Sequence, residues 1–453
     1  MSASSRSLSI DALRGAAIVM MIFSGVIPYG GALPGWMYHA QVPPPEHLFK
    51  PEVAGITWVD LVFPFFLFAM GAAVPFALPG RMQREGVWPT LLHMGKRFLL
   101  LLLFAVLSFN LAPLRIPHAG QWANYIGLLG YLGLFLAFVS YPGLTSRTKT
   151  AFRVAGWGLL AALAAWLLFG FKKFDPGFND SIIRVLANVY LVGGAIWMLT
   201  RRNPLLRTGI ALTVMAFYLG DLDPHSWVSA IWRLHDPWNL VSPFLLKYLL
   251  IFLPGTLVGD WIAQANEAPE QKPKGLYAIT GLAATLIALW SLYAREVSAG
   301  FLLTLGISAV SLVLLLRQDK PLDRCGRIFL FGALCLTAGY LMEPFQGGIK
   351  KDHATLSYFI LTSGLAALWV CAFEEMGKSA LKKIWMPVAL VGQNALMAYL
   401  IAGFLIVPLF ALTALDALFS GSTALQVVRA VCITLLSAGI SGYLANKKVF
   451  WKL

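Results

Sequence analysis

The sequence predicts an all-α, polytopic transmembrane bundle of about 12–14 spanning helices, and three observations predict it. Hydrophobic residues fill 58% of the 453 positions and charged residues only 12%, about half the charge of an ordinary water-exposed surface. Apolar runs recur at about 20 residues, the length that lets a helix cross a hydrocarbon core of about 30 Å. Segments of alternating polarity, the pattern of a membrane β-barrel, are absent from the chain.

Gly, Pro and charge clusters separate the runs. They place spans near 10–33, 57–79, 95–112, 121–141, 150–171, 181–200, 205–220, 243–265, 275–294, 297–316, 325–343, 354–374, 386–413 and 424–446. The first run follows Ser and Arg as a signal peptide does, yet it holds Asp11 and Arg14 and many spans follow, so it reads as a retained helix. Pro28, Gly30, Gly31, Pro34 and Gly35 mark its far end. The second run opens at Thr57 with Asp60 three residues on, the pattern of a capping box. The seventh is short, and only Arg295 and Glu296 divide the ninth from the tenth, so the count can fall to twelve. The thirteenth reads as one helix with Gly392, Gln393 and Asn394 about two turns inside it. The longest connections, 34–56 and 221–241, run to about 20 residues, too short for a soluble domain. Residues 1–453 therefore read as a single integral-membrane domain.

The net charge of +14 does not require nucleic acid, because the basic residues lie in short loops between spans, where positive charge sets orientation. A cytoplasmic N-terminus gives the inner loops and ends roughly 23 Lys and Arg against roughly 11 outside. His39, His47, His118, His225, His235 and His353 then face outward and only His93 inward, so bases for neutral-pH chemistry are available outside. Cys325, Cys335 and Cys371 lie in or beside apolar runs without metal or redox spacing, and no disulfide framework is expected.

Five groups could carry chemistry. His39 stands in a loop stiffened by Pro43, Pro44 and Pro45, as a catalytic base requires, although Trp36 and Tyr38 beside it equally fit an aromatic belt. Asp60 caps its helix and could also orient a histidine, and the two roles are compatible. Arg14 either pairs with Asp11 or forms, with Lys96 and Arg97, a basic mouth for a phosphate-bearing donor. Gln393 and Asn394 need partners at their depth, from another helix or from a ligand in a central cavity. Lys350, Lys351, Asp352 and His353, leading to Thr355, Ser357 and Tyr358, form either a site for a glycan or anionic acceptor or a solvated loop with a helix cap. Phosphate-binding glycine loops, a serine nucleophile elbow and histidine pairs at zinc spacing are missing, so no metal is expected. A histidine, an acid and membrane amides suit acyl transfer.

Three stretches resemble the heparan-alpha-glucosaminide N-acetyltransferase family of transmembrane acyltransferases, in its bacterial branch. They are Leu8 to Gly15; His39-Ala40 with Gly55 to Pro64 running on to Gly71; and Leu356-Ser357-Tyr358 with Gly392-Gln393-Asn394. The most specific motifs lie within residues 8–78. The resemblance implies transfer of acetyl from cytoplasmic acetyl-CoA, as co-substrate, to an amino or hydroxyl sugar across a bacterial inner membrane. It places the catalytic histidine at His39. The chain departs from the family at Ser24-Gly25, where relatives carry an Asn, and in its fourth helix, Tyr125 to Gly130, which lacks a Gln-Arg pair. The loop from His39 to Gly55 is also longer and adds His47.

The expectation is an inner-membrane acyltransferase with His39 as base or acyl carrier and Asp60 orienting it. Arg14, Arg97, Gln393 and Asn394 hold the donor, and His47, Lys351, His353 and Ser357 are candidates for the acceptor. Acyl-CoA, a sugar or glycan and membrane lipids are the expected partners, nucleic acid is not, and a homo-oligomer is left open. A transporter or flippase of a glycan or lipid precursor is the competing expectation, since polar groups within spans suit it equally.

Overall fold

The structure, a computed structural model, describes residues 6–116, 120–170, 174–264, 275–317 and 322–451; His118 lies outside them. The helices are α1 (Leu8–Val26), α2 (Trp58–Glu85), α3 (Val87–Leu111), α4 (Trp122–Phe138), α5 (Ser146–Gly170), α6 (Ser181–Thr200), α7 (Pro204–Gly220), α8 (Trp227–Trp232) and α9 (Leu249–Ala263). They continue as α10 (Leu276–Tyr293), α11 (Val297–Leu316), α12 (Arg324–Leu341), α13 (Leu356–Met376), α14 (Lys382–Gln393), α15 (Ala395–Leu400), α16 (Val407–Leu412), α17 (Leu415–Leu418) and α18 (Thr423–Asn446). A π-helical turn, Ile401–Ile406, joins α15 to α16. Among the described residues there is no strand, only an isolated bridge between Val139 and Trp451. Twelve helical segments there are long and apolar enough to cross a membrane, and α4 and α7 are shorter apolar helices. The protein is thus a multi-pass helical bundle.

Polar side chains cap several of the helix starts. Asp180 accepts from the N–H groups of Ile182 and Ile183 at the head of α6, Asn203 from Leu206 at α7, and Asp323 from Gly326 at α12. Two expected spans end differently. The first stops at Val26 rather than near 33, because Pro28 follows and Gly30 and Gly31 adopt φ of +80° and +77°.

The thirteenth is not continuous: α14 ends at Gln393, and Asn394, at φ −131° and ψ 41°, is outside the helix. Asn394 spends its side chain on the C-terminal segment, Nδ2 donating to Val449 O (3.0 Å) and Oδ1 accepting from Trp451 N (3.1 Å). The Ser441 hydroxyl donates to its carbonyl at 3.0 Å. These tertiary bonds hold Asn394 out of helical geometry, while its N–H still donates to Val391 O (3.0 Å) and its carbonyl still accepts from Ala398 N (3.2 Å).

Helix α13 is the axis of the bundle, with 89% of its apolar window buried, whereas α5 and α18 on the rim bury 22% and direct leucines and valines outward. Backbones meet closely at several helix crossings, two of which involve α1 and α2. A Cβ at Gly392 would sit 1.9 Å from Asp11 O, fixing α14 against α1; Cβ atoms at Gly255 and Gly259 would sit 2.3 Å from Phe68 O and Ala72 O, fixing α9 against α2. The second pair has the small-x3-small spacing of tightly packed membrane helices. Arg207 is fully buried and pairs with Asp260 at 2.5 Å, with the Thr200 and Thr256 hydroxyls as further partners.

Candidate active site

The loop after α1 is locked by its own side chains. Tyr38 OH donates to Pro28 O (2.6 Å), Thr57 Oγ1 donates to Tyr38 O (2.7 Å), and buried Gln41 donates from Nε2 to Val53 O and Gly55 O. Burial pushes the Tyr38 phenol above its ordinary value, so it remains a donor. His47 serves this scaffold: Nε2 accepts from Gly30 N (3.0 Å), Nδ1 faces Val42 O (3.3 Å), and the ring lies edge-on between Tyr29 and Tyr38.

The locked loop delivers His39 to the head of α2, where its Nδ1 is 2.7 Å from Asp60 Oδ1. The Asp60 side chain is wholly buried and that of His39 is 34% exposed. Oδ2 of Asp60 accepts from Thr57 N (2.8 Å) and Ala40 N (3.2 Å), so one carboxylate both caps α2 and holds His39. A carboxylate has no proton to give, which puts hydrogen on Nδ1 and leaves the lone pair on Nε2.

Residues some 300 positions away complete the site. Tyr358 OH, on α13, donates to Asp60 O (2.6 Å), and Gly55 N donates to Ile349 O (2.8 Å). Lys351 follows, its Nζ 3.2 Å from His39 Nδ1 and 3.4 Å from Nε2. His353 is exposed, near the edge of Phe49, and Ser357 is buried with its hydroxyl 3.0 Å from that of Thr355. Of the four acceptor candidates, only Lys351 touches His39.

A cavity of about 660 Å³ opens between α1, α2, α3, α6 and the α14–α15 break, within the usual size of small-molecule sites. Arg6, Arg14 and Arg97 line it with Gln393, Asn394, Tyr190, Phe450 and Trp451. Arg14 pairs with Asp11 and donates from Nε to Gly392 O (2.5 Å), so the ion pair and the cavity wall are the same residues. The Arg97 guanidinium lies 4.7 Å from the centre of the Tyr190 ring and that of Arg6 5.2 Å from Phe450. Three guanidinium groups beside aromatic faces fit an anionic ligand that carries phosphate and a flat ring. Asn394 lines the cavity with one Nδ2 hydrogen and one Oδ1 lone pair already engaged by the C-terminal segment. The lining climbs to Met21 and Phe66. Phe66 is six residues past Asp60, about 9 Å along α2, so the cavity stops short of His39.

Residues 6–262 match the protein family described as a domain of unknown function, DUF5009, over more than half of the chain. The chain belongs to this family. A stretch of 79 residues is also 33% identical to the heparan-alpha-glucosaminide N-acetyltransferase of Homo sapiens, covering 17% of this chain but only 10% of that protein. The likeness is distant and local, and it links this DUF5009 member to an N-acetyltransferase. The family match spans α1 to α9 and so includes His39, Asp60, Arg14 and Arg97, while Lys351, Tyr358 and Asn394 lie beyond it. Neither the contact of Lys351 with His39 nor the cavity place of Arg6 was expected. The first depends on a contact across 312 residues, and the second on a residue that reads as an ordinary inner-end charge. Among the described residues no three His, Cys, Asp or Glu side chains gather as a metal-binding group.

Proposed function

We propose that the protein is a transmembrane acyltransferase that moves an acetyl group from acetyl-CoA to an amino or hydroxyl group of a sugar on the opposite face of a bacterial inner membrane. The observation that carries the proposal is the His39–Asp60 pair, with an open Nε2, above an arginine-lined cavity entered from the other end of the same two helices. The excess of Lys and Arg at the α1-start end supports placing the cavity mouth in the cytoplasm, where acetyl-CoA resides. Residues 1–453 act as one membrane domain in this proposal.

Arg6, Arg14 and Arg97 hold the donor phosphates, Tyr190 and Phe450 flank them, and the thioester arm is directed along α1 and α2 toward His39. The acceptor enters from the outer loops. Asp60 keeps Nδ1 protonated, so Nε2 can take the proton of an attacking amine or hydroxyl, or itself carry the acyl group.

Membranes incubated with labelled acetyl-CoA and amino sugars should transfer label, and His39→Ala should not. Equal transfer by both proteins would remove His39 from the chemistry.

One observation favours the transporter alternative: the helix break at Asn394 beside a cavity is a feature of carriers. Uptake of labelled glycan precursor by vesicles, unchanged in His39→Ala, would favour that alternative.

A further inference from the structure

We infer that Lys351 is a catalytic residue whose ammonium stabilises the oxyanion formed when an acyl carbonyl is attacked beside His39. The inference rests on the acyl-transfer proposal above and gives Lys351 a role other than acceptor binding.

Geometry distinguishes the two roles. A donor on the lone-pair axis of Nε2 lies about 2 Å farther from Nδ1 than from Nε2. The Lys351 Nζ distances are instead nearly equal, 3.2 Å to Nδ1 and 3.4 Å to Nε2. An in-plane position between the two nitrogens would drive Nζ into Cε1, so the ammonium lies over the face of the ring. It therefore leaves the Nε2 lone pair open and stands beside the point where that lone pair acts.

Lys351 is also held in place. Its turn is closed by Thr355 N donating to Lys350 O and Lys350 N donating to Thr355 Oγ1, both at 3.1 Å. Ile349, two residues before it, accepts from Gly55, which leads into the head of α2. The Lys351 side chain is 22% exposed and its ion pair with Asp352 is long, 3.9 Å, which leaves N–H bonds available for a ligand.

The step balances with an acyl thioester and an amine or hydroxyl acceptor. The acceptor heteroatom bonds to the acyl carbon, its proton passes to Nε2, and the carbonyl π pair moves onto oxygen. That oxygen develops within about 3 Å of Nε2, within hydrogen-bonding reach of Nζ. Collapse re-forms the carbonyl and breaks the C–S bond; the thiolate leaves and takes the proton back from the imidazolium. If His39 carries the acyl group itself, attack by Nε2 places the same oxyanion beside the same ammonium.

The test uses the full-length protein in lipid nanodiscs, with acetyl-CoA and glucosamine as probes and thiol release as readout. Lys351→Gln should lower kcat about 100-fold with both KM values within about threefold of wild type, and Lys351→Arg should recover much of the loss. A raised KM for glucosamine at unchanged kcat would make Lys351 an acceptor-binding residue and overturn the inference. So would wild-type turnover in Lys351→Gln alongside an inactive His39→Ala, or acetyl found on Lys351 by mass spectrometry. Equal turnover in wild type and His39→Ala would strike the underlying proposal instead, which separates the two failures.

Discussion

Asp60 divides its two oxygens between two tasks, and substitutions can separate them. Asp60→Asn retains an acceptor for Thr57 N but no longer dictates which nitrogen of His39 bears hydrogen; transfer should drop at least about 100-fold while the melting temperature hardly moves. Asp60→Ala strands the buried N–H groups of Thr57 and Ala40 and should also cost about 1–3 kcal/mol of stability, read as a lower melting temperature in detergent. The cap was legible in the sequence because Thr57 and Asp60 are local partners; His39 stood out from the other outer histidines only through the resemblance in motif order, since its proline-rich loop fits an aromatic belt equally. The distance between them was not, since Thr57, Tyr38 and Gln41 must first fold the loop back. Lys351 was legible only as a nearby outer charge: nothing in its own surroundings points to a histidine 312 residues earlier.

At the level of helices, apolar runs separated by Gly, Pro and charge clusters located most elements to within a few residues; α6 and α11 fall on the expected 181–200 and 297–316. The pattern failed at the thirteenth run because hydropathy does not register that Asn394 prefers the carbonyl and N–H of a distant segment to its own helix. Gly392 is equally silent in sequence, yet its missing Cβ lets α14 rest on α1 beside the cavity. Gly392→Ala should therefore push these helices apart and destabilise the fold by about 1–3 kcal/mol, seen in thermal unfolding. The stretch of α2 between the cavity and Asp60 can be tested separately. Phe66→Trp adds bulk at the top of the lining and should suppress thiol release from acetyl-CoA while CoA binding, measured calorimetrically, stays within about threefold.

At the scale of the whole molecule, one deeply buried charge is held by its counter-charge. Arg207 and Asp260 form an ion pair remote from His39, and removing one partner leaves the other without its counter-charge. Arg207→Ala should lower stability by about 3 kcal/mol and reduce the yield of folded protein without altering the specific activity of what remains. Composition alone announced the bundle. The cavity was not announced, because it depends on α1 packing against both α2 and α14, helices far apart in the chain.

The hydrogen bond from Gly55 to Ile349 and that from Tyr358 to Asp60 are the stitches between the two ends of the chain at His39. Both bonds are fully buried, so this seam should part only with the bundle: turnover and helicity should be lost over the same temperature range, and an activity loss well ahead of the circular-dichroism melt would show that the seam opens on its own.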